Sequence, residues 1–346
     1  MFLSSAWVES WLAVFGPSVE ASLWTARLGD EVVGAALLVQ RIEWRGPIPT
    51  RCLYLNTAGE GADSVTVEHN CLLIKQGHDE MVWRELGRTL QYLKWDEFML
   101  HGVTNHTMER TRRLFPYARV AANERAAPFV SLSAVRAHPA GLVGKLSANT
   151  RGQLRRAARI CGASSVLTID EGSSAESRAQ IWSDLKRLHT IRRNKRGEVA
   201  VFSRERWVAF HQHLMSAAPS HTRLFRLRTE TETLASLYLL QHGEKIVFYQ
   251  SGIKVDPSDN RAKPGLLLHV GVIDRLALEG LEEYDFLASD EPEVRYKRSI
   301  ATSERSLCWL TVFRPTLRSR IVVLLRKVRN LLFVIPEASD SNVAQT

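Results

Sequence analysis

Cysteine is scarce in this chain. Four residues in 346, Cys52, Cys71, Cys161 and Cys308, lie far apart and make no CxxC pair. That argues against a disulfide framework or a zinc knuckle and fits reduced thiols in a cytoplasmic protein. No HExxH or equivalent is present. His211 and His213 are two apart and fall on different sides of a helix, so no metal site is expected. The N-terminus MFLSSAWVESWLAVFG lacks a basic n-region and carries Glu9, unlike a signal peptide. No apolar run is long enough to span a bilayer. The best candidate, IVVLLRKVRNLLFVI (321–335), is broken by Arg326, Lys327 and Arg329. Acid is missing altogether from Arg305 to Pro336.

What is present is positive charge, in blocks. The formal net charge is +9. Lys145 to Arg159 carries five cations without an acid, and Lys186 to Arg196 carries six. Such a balance favours anionic partners: nucleotides, nucleic acid or lipid head groups. The ordinary hydrophobic share implies one or two packed domains.

Ser4 or Ser5 caps a first helix bearing Trp7, Trp11 and Phe15, which Gly16 ends. The runs SLWTARL, EVVGAALLVQRIEW and RCLYLNT, with Gly29-Asp30 between the first two, predict an antiparallel meander. A helix near 78–94, the strand EFMLHGV, a helix near 105–114 and a strand around PFVSLS follow. SAVRAHPAG (133–141) reads as a linker. The pattern then restarts with a basic helix over about 142–161, strand SVLTID, helices 175–192 and 203–217, and a meander TRLFRLRT, LASLYLLQ, KIVFYQSGI. A helix from Pro264 to Gly280 and the strand YDFL close it. The two halves share one rough order, which suggests duplication of an α/β unit. A 3.6-residue period ends the chain at 316–334.

Residues 246–297 carry the most chemistry. A helix opened by Pro264 and Gly265 beside a strand end is an anion site, because its first N–H groups lack helical partners and its dipole favours negative charge. Arg261 and Lys263 stand just before it. The amides of Gly265, Leu266 and Leu267 are therefore candidates to hold a phosphate-bearing donor.

The pieces KLSANTRGQLRRAARICG (145–162), LKRLHTIRRNKRG (185–197), FYQSGI, KPGLLL (263–268), EGLEEYDFL (279–287) and RYKRS (295–299) occur in the order seen in the FemAB-like branch of the GNAT acyltransferase superfamily. This is the group often called CelD-like and associated with bacterial polysaccharide biosynthesis. The chain resembles that branch over roughly 142–315 and more loosely before it. Lys263 stands where the family usually has Ser, and Ala288 and Ser289 where a Gly is common. Counting from Arg261, Pro264 and Leu266 occupy the glycine positions of the GNAT pyrophosphate signature, so coenzyme A binding follows from the resemblance alone. The resemblance implies an α/β (α+β) fold of two tandem GNAT-like domains, each a mixed, largely antiparallel sheet flanked by helices. The expected boundaries are 1–138 and 139–315, with a basic amphipathic helix and tail over 316–346.

Asp285, on a short apolar strand, is either a base that takes a proton from an acceptor amine or a structural carboxylate paired to an arginine. The resemblance makes Tyr296 and Lys297 site residues, to protonate a leaving thiolate and to stabilise an oxyanion or phosphate. The alternative is a solvated basic loop. His189 and Arg193, one helical turn apart, and Tyr249 on the last meander strand are candidates to bind the acceptor, against the plainer reading of His189 as a helix-surface histidine. Arg151, Arg155, Arg156 and Arg159 place a basic face on one helix, fit to grip a polyanion or simply solvated. Ile321, Leu324, Leu325, Val328, Leu331 and Leu332 form an apolar stripe beside arginines, suited to an anionic membrane or to packing.

The expectation is an N-acyltransferase that takes its acyl group from acyl-coenzyme A (acetyl-coenzyme A), needs no metal and acts on an amine of a small-molecule or lipid-linked anionic precursor of the cell envelope or exopolysaccharide. It would be cytoplasmic, with peripheral contact at the inner membrane surface through 316–334. The alternatives are an aminoacyl-transfer-RNA-dependent Fem-type transferase and a degenerate GNAT module binding an anionic membrane or scaffold.

Overall fold

A computed structural model of the chain describes residues 1–59, 65, 67–163, 165–255, 261–290 and 293–332. The first part runs α1 (Ser5–Val14), β1 (Glu20–Leu28), β2 (Glu31–Arg45), β3 (Ile48–Leu55), β4 (Leu73–Ile74), α2 (Asp79–Tyr92), β5 (Glu97–Thr104), α3 (Asn105–Leu114), β6 (Arg119–Ser131) and α4 (Leu132–Arg136). The second runs α5 (Ala148–Cys161), β7 (Thr168–Glu171), α6 (Ala175–Lys195), α7 (Glu205–Ala217), β8 (Thr222–Arg228), β9 (Thr233–His242), β10 (Lys245–Ile253), α8 (Pro264–Leu278), β11 (Glu283–Asp285), α9 (Glu293–Arg298), β12 (Ser303–Phe313) and α10 (Leu317–Leu332).

The strands form one open, mostly antiparallel sheet flanked by helices, in the order β1-β2-β3-β5-β12-β6-β11-β10-β9-β8-β7, with β4 pairing β2. Each half repeats one arrangement. A meander ends in a strand paired in parallel to the next, β3 to β5 and β10 to β11, and an antiparallel strand follows. That last strand comes from the other part of the sequence. β12 pairs β5, β6 pairs β11, and β6 and β12 pair each other from Ser303↔Phe129 to Phe313↔Arg119 at the centre. Helix α1 likewise packs against α7.

Local chemistry explains the elements. Gly29 and Gly243 adopt positive φ in the tight turns that pair Leu28 with Glu31 and His242 with Lys245. Helix α8 is buried nearly all round, through Leu266, Leu268, Val270, Val272, Ile273 and Leu276. Each such side chain removed from water is worth about 2 kcal/mol. The helix ends in a Schellman motif: Gly280 has φ 91°, its N–H donates to Ala277 O, and the Leu281 N–H donates to Leu276 O.

Four expectations change. Residues 133–141 are not a free linker. Ser131 caps α4, Leu132 and Val135 are buried one turn apart, and Arg136 donates to the carbonyls of Ala277 and Leu281. The basic helix starts at Ala148 because Ser147 caps it, after a 3-10 turn over Gly141–Lys145. The Tyr296-Lys297 segment is helix α9 rather than a loop. β12, which the sequence reading passed over, bears apolar Leu307, Cys308, Leu310, Val312 and Phe313 in its buried positions.

Candidate functional site

The site begins where two parallel strands separate. β10 and β11 are in register only over Lys245↔Glu283, Ile246↔Tyr284 and Val247↔Asp285. A bulge between Phe248 and Gln250 then turns β10 away. In the other half β3 and β5 part in the same manner after Tyr54↔Met99. There the chain fills its own opening. Asn70 donates through Nδ2 to Leu55 O at 2.9 Å, its backbone N–H donates to Gly102 O, and it bridges to Val103. Asn56, at φ 56°, donates to Asn70 Oδ1 at 2.9 Å and holds the plug in place. Gly102 permits the fit: a Cβ there would stand 2.4 Å from Val67 O, at φ +66°.

The plug delivers Glu68 and His69 to the second half's opening. His69 Nε2 lies 2.8 Å from Asp285 Oδ2. An ionised carboxylate only accepts, so Nε2 carries a proton, and in the neutral ring Nδ1 is left as an acceptor. Asp285 is buried, while the His69 side chain is 31% exposed. The other Asp285 oxygen accepts from Leu287 N at 2.7 Å. His69 and Leu287 have φ 52° and 60°, a conformation costly for residues other than glycine, so the flanking contacts hold both turns in place. Glu68 is fully buried and accepts from Ala288 N at 2.8 Å. Burial, reinforced by the Asp285 charge, pushes its carboxyl up to about 8 against the pull of that N–H, Lys297 and Arg125.

Lys297 is buried as well. Its ammonium donates to Phe286 O at 2.6 Å, to Leu287 O at 3.2 Å and to Ser289 Oγ. Burial lowers its pKa, opposed by Glu68, Glu293 and Asp285. With its three N–H groups so engaged, it braces the turn after β11 rather than reaching for a ligand. The arginine partner considered for Asp285 is replaced by His69, which sequence reasoning missed. Nothing in the local sequence marks His69; only the plug brings it across 216 positions.

At the start of α8 the anion cradle takes a different form. Leu266 N and Leu267 N both donate to Lys263 O, at 3.1 and 3.3 Å, so these two amides are not free. Gly265 is buried, and a Cβ on it would stand 2.6 Å from Ile253 Cδ1 and 3.7 Å from the Tyr296 hydroxyl. Its lack of a side chain serves helix–strand contact. Arg261, Lys263 and Arg156 line a pocket of about 520 Å³ with Asn149, Gly152 and Gln153 from the first turns of α5. Lys263 Nζ donates to Gln153 Oε1 at 2.8 Å, tying the loop to that helix.

The remaining candidates divide. Tyr296 is partly exposed beside Gly265, and its ring lies 6.2 Å from that of His269. His189 is buried, not on the helix surface; it packs against Phe202 at 5.1 Å, and burial, then Arg193 and Arg192, lowers it to about 4. Neither of its ring nitrogens has a partner among the described residues. Arg193 does not join it, being paired with Glu198 and with Glu293 at 3.7 Å. Tyr249 lies within an aromatic cluster, its ring 4.7 Å from His211 and 5.9 Å from Trp7. His211 bonds Tyr238 at 3.2 Å and His213 bonds Ser10 at 3.0 Å, each on its own side of α7. Among the described residues no group of three potential ligands is placed to hold a metal, and no helix is long and apolar enough to cross a membrane.

Residues 148–298 match the acetyltransferase (GNAT) domain family, so a GNAT-type domain occupies that stretch. No curated protein sequence matches the chain. Among solved structures it is similar to FemX, at 10% identity and a TM-score of 0.59 over 93% of each chain. A domain named as the C-terminal part of a lysylphosphatidylglycerol synthetase from Agrobacterium fabrum aligns at 12% identity and a TM-score of 0.55, over 94% of this chain and 96% of that one. The L-PGS of Bacillus licheniformis aligns at 9% identity and a TM-score of 0.54 with the same coverage. At such identities the likeness is one of fold.

Proposed function

We propose that the chain is an N-acyltransferase whose centre is the His69–Asp285 pair at the mouth of the β10–β11 opening. The observation that carries this reading is that pair: a partly exposed imidazole held by a buried carboxylate; a separate cationic pocket lies at the start of α8. Arg156, Arg261 and Lys263 hold the phosphates of the donor, acyl-coenzyme A in the preferred reading. The donor supplies an activated thioester. His69 Nδ1 takes the proton of the attacking amine as the N–C bond forms, and Asp285 stabilises the resulting imidazolium. As the C–S bond breaks and the thiolate leaves with the electron pair, the Tyr296 hydroxyl, which lies near Gly265, gives it a proton. Tyr296 regains that proton from His69 through solvent. Lys297 and Glu68 are positioning residues that fix the turn bearing Asp285. The acceptor is an amine, on a cell-envelope or exopolysaccharide precursor.

A second reading takes the donor to be aminoacyl-transfer RNA. The exposed Arg155, Arg156 and Arg159 beside the pocket favour it, as does the loss of glycine at Pro264 and Leu266. Titration with coenzyme A and with transfer RNA at several salt concentrations separates the two. A steep salt slope for RNA with no coenzyme A binding selects the second. Donor affinity for either that survives Arg156→Glu with Arg261→Glu overturns the pocket assignment.

A further inference from the structure

A second pocket, sharing no lining residue with the first, lies between α2, α3 and the residues that lead into α10. It encloses about 530 Å³. Its floor is apolar: Trp83, Trp95, Leu114 and Phe115. Gly87 brings the two helices close enough to build it, since a Cβ there would stand 2.4 Å from Leu114 Cδ1. The rim is mostly cationic, with Arg84, Arg88, Arg110, Arg113 and Arg314 around one carboxylate, Glu80. Some of these charges are spent. Arg110 pairs Asp79 and Glu80, Arg88 pairs Glu85 at 3.2 Å, and Arg314 donates to the carbonyls of Leu93 and Gln91 while stacking over Trp95 at 5.3 Å. Arg84 and Arg113 are exposed and make no close ion pair among the described residues; the nearby Glu80 charge they feel is already paired with Arg110.

The surroundings of the pocket point the same way. Tyr92 and Tyr117, each next to a lining residue, are 87% and 97% exposed. Leu317, two residues beyond the lining Pro315, is 75% exposed, and Ile321, Leu324 and Leu325 are also exposed on α10. The face of α10 that packs inward is instead the one bearing Ser319 and Val322. An apolar helix face with arginines Arg318 and Arg320, exposed tyrosines and an acid-free sequence from 305 to 336 together match the boundary between head groups and acyl chains.

The structure assigns this face to the surface of an anionic bilayer, with one acyl chain of an anionic phospholipid in the Trp83–Trp95 pocket and its phosphate on Arg84 and Arg113. The assignment is independent of the reaction proposed above. The test is flotation of the full chain with phosphatidylcholine vesicles, with and without phosphatidylserine, alongside titration with dodecyl phosphate, dodecanol and inorganic phosphate. Expected results are binding to the phosphatidylserine vesicles, and to dodecyl phosphate well above the other two soluble probes. Arg84→Glu with Arg113→Glu, both exposed, should keep the parent's melting temperature and lose on the order of ten-fold or more in both assays. Ile321→Asp with Leu325→Asp should weaken vesicle binding and spare dodecyl phosphate. Equal flotation with neutral and anionic vesicles, or an arginine double variant that binds like the parent, overturns the assignment. Binding of inorganic phosphate as tight as that of dodecyl phosphate overturns it too, since the pocket would then be a simple anion site.

Discussion

His69 sits opposite Asp285 with one nitrogen bonded and the ring partly open. Replacing it by Gln keeps a donor toward Asp285 but removes the proton acceptor. His69→Gln should therefore lower turnover of an acyl donor with an amine by about 10²-fold or more while leaving donor affinity and melting temperature near the parent's; steady-state kinetics and thermal melts check both. Glu68 gives a pH prediction. Its folded-state pKa is raised from 4.5 to about 8, so the folded protein holds this proton more tightly than the unfolded chain. Its contribution to stability is complete below about 4.5 and declines as pH climbs toward about 8. Glu68→Gln retains an acceptor for Ala288 N, and the decline should vanish; denaturant midpoints measured across pH 5 to 8 on both proteins, as roughly this window, test it. Asp285, Tyr296 and Gly265 could be named as candidates from the sequence because they fall within one ordered motif, although Gly265 turns out to serve the contact of α8 with Ile253. His69 and Glu68 were not, because their role depends on a contact that no local pattern encodes. The motif's lysine was a candidate on the same ground, but its inward direction, which three oxygen partners set, could not be read.

At the scale of elements, the helices and meanders followed from apolar period and turn residues, and their ends moved by a few positions where a cap such as Ser147 decided the start. β12 escaped notice because its neighbours in the sheet lie two hundred residues away in sequence. Helix α10 was legible as amphipathic, yet its inward side was not. Its anchor is Asp96, fully buried, which accepts from Arg51 Nε at 2.9 Å, Arg51 Nη2 at 2.9 Å and Thr316 Oγ1 at 3.0 Å, while its carbonyl accepts from Ser319 Oγ at 3.1 Å. Burial works against the charge, but the Arg51 bonds hold its pKa below the ordinary 3.8. This stabilisation is full above about 3.8 and is lost as pH falls below it. Arg51→Ala leaves the carboxylate buried with fewer partners and should cost about 3 kcal/mol, read from denaturant unfolding, with faster amide exchange in α10.

At the scale of the molecule, the halves exchange their central strands. A fragment ending at 138 would present β5 and β6 without β12 between them, and the complement would present β11 without β6. Unpaired edges of this length associate wrongly. Residues 1–138 and 139–346 should each aggregate when expressed alone and yield one soluble species when expressed together, seen by size-exclusion chromatography. Recovery of two well-folded separate monomers would refute it.

The repeated architecture offers two openings of the same geometry, yet Asn70 and its backbone already occupy one of them. Pseudo-symmetry of the scaffold therefore does not extend to stoichiometry. Calorimetric titration with whichever donor binds should saturate at a single equivalent per chain, and a small side chain at Asn70 should loosen the built-in stopper without creating a second seat, because the same stretch of backbone would still lie across it.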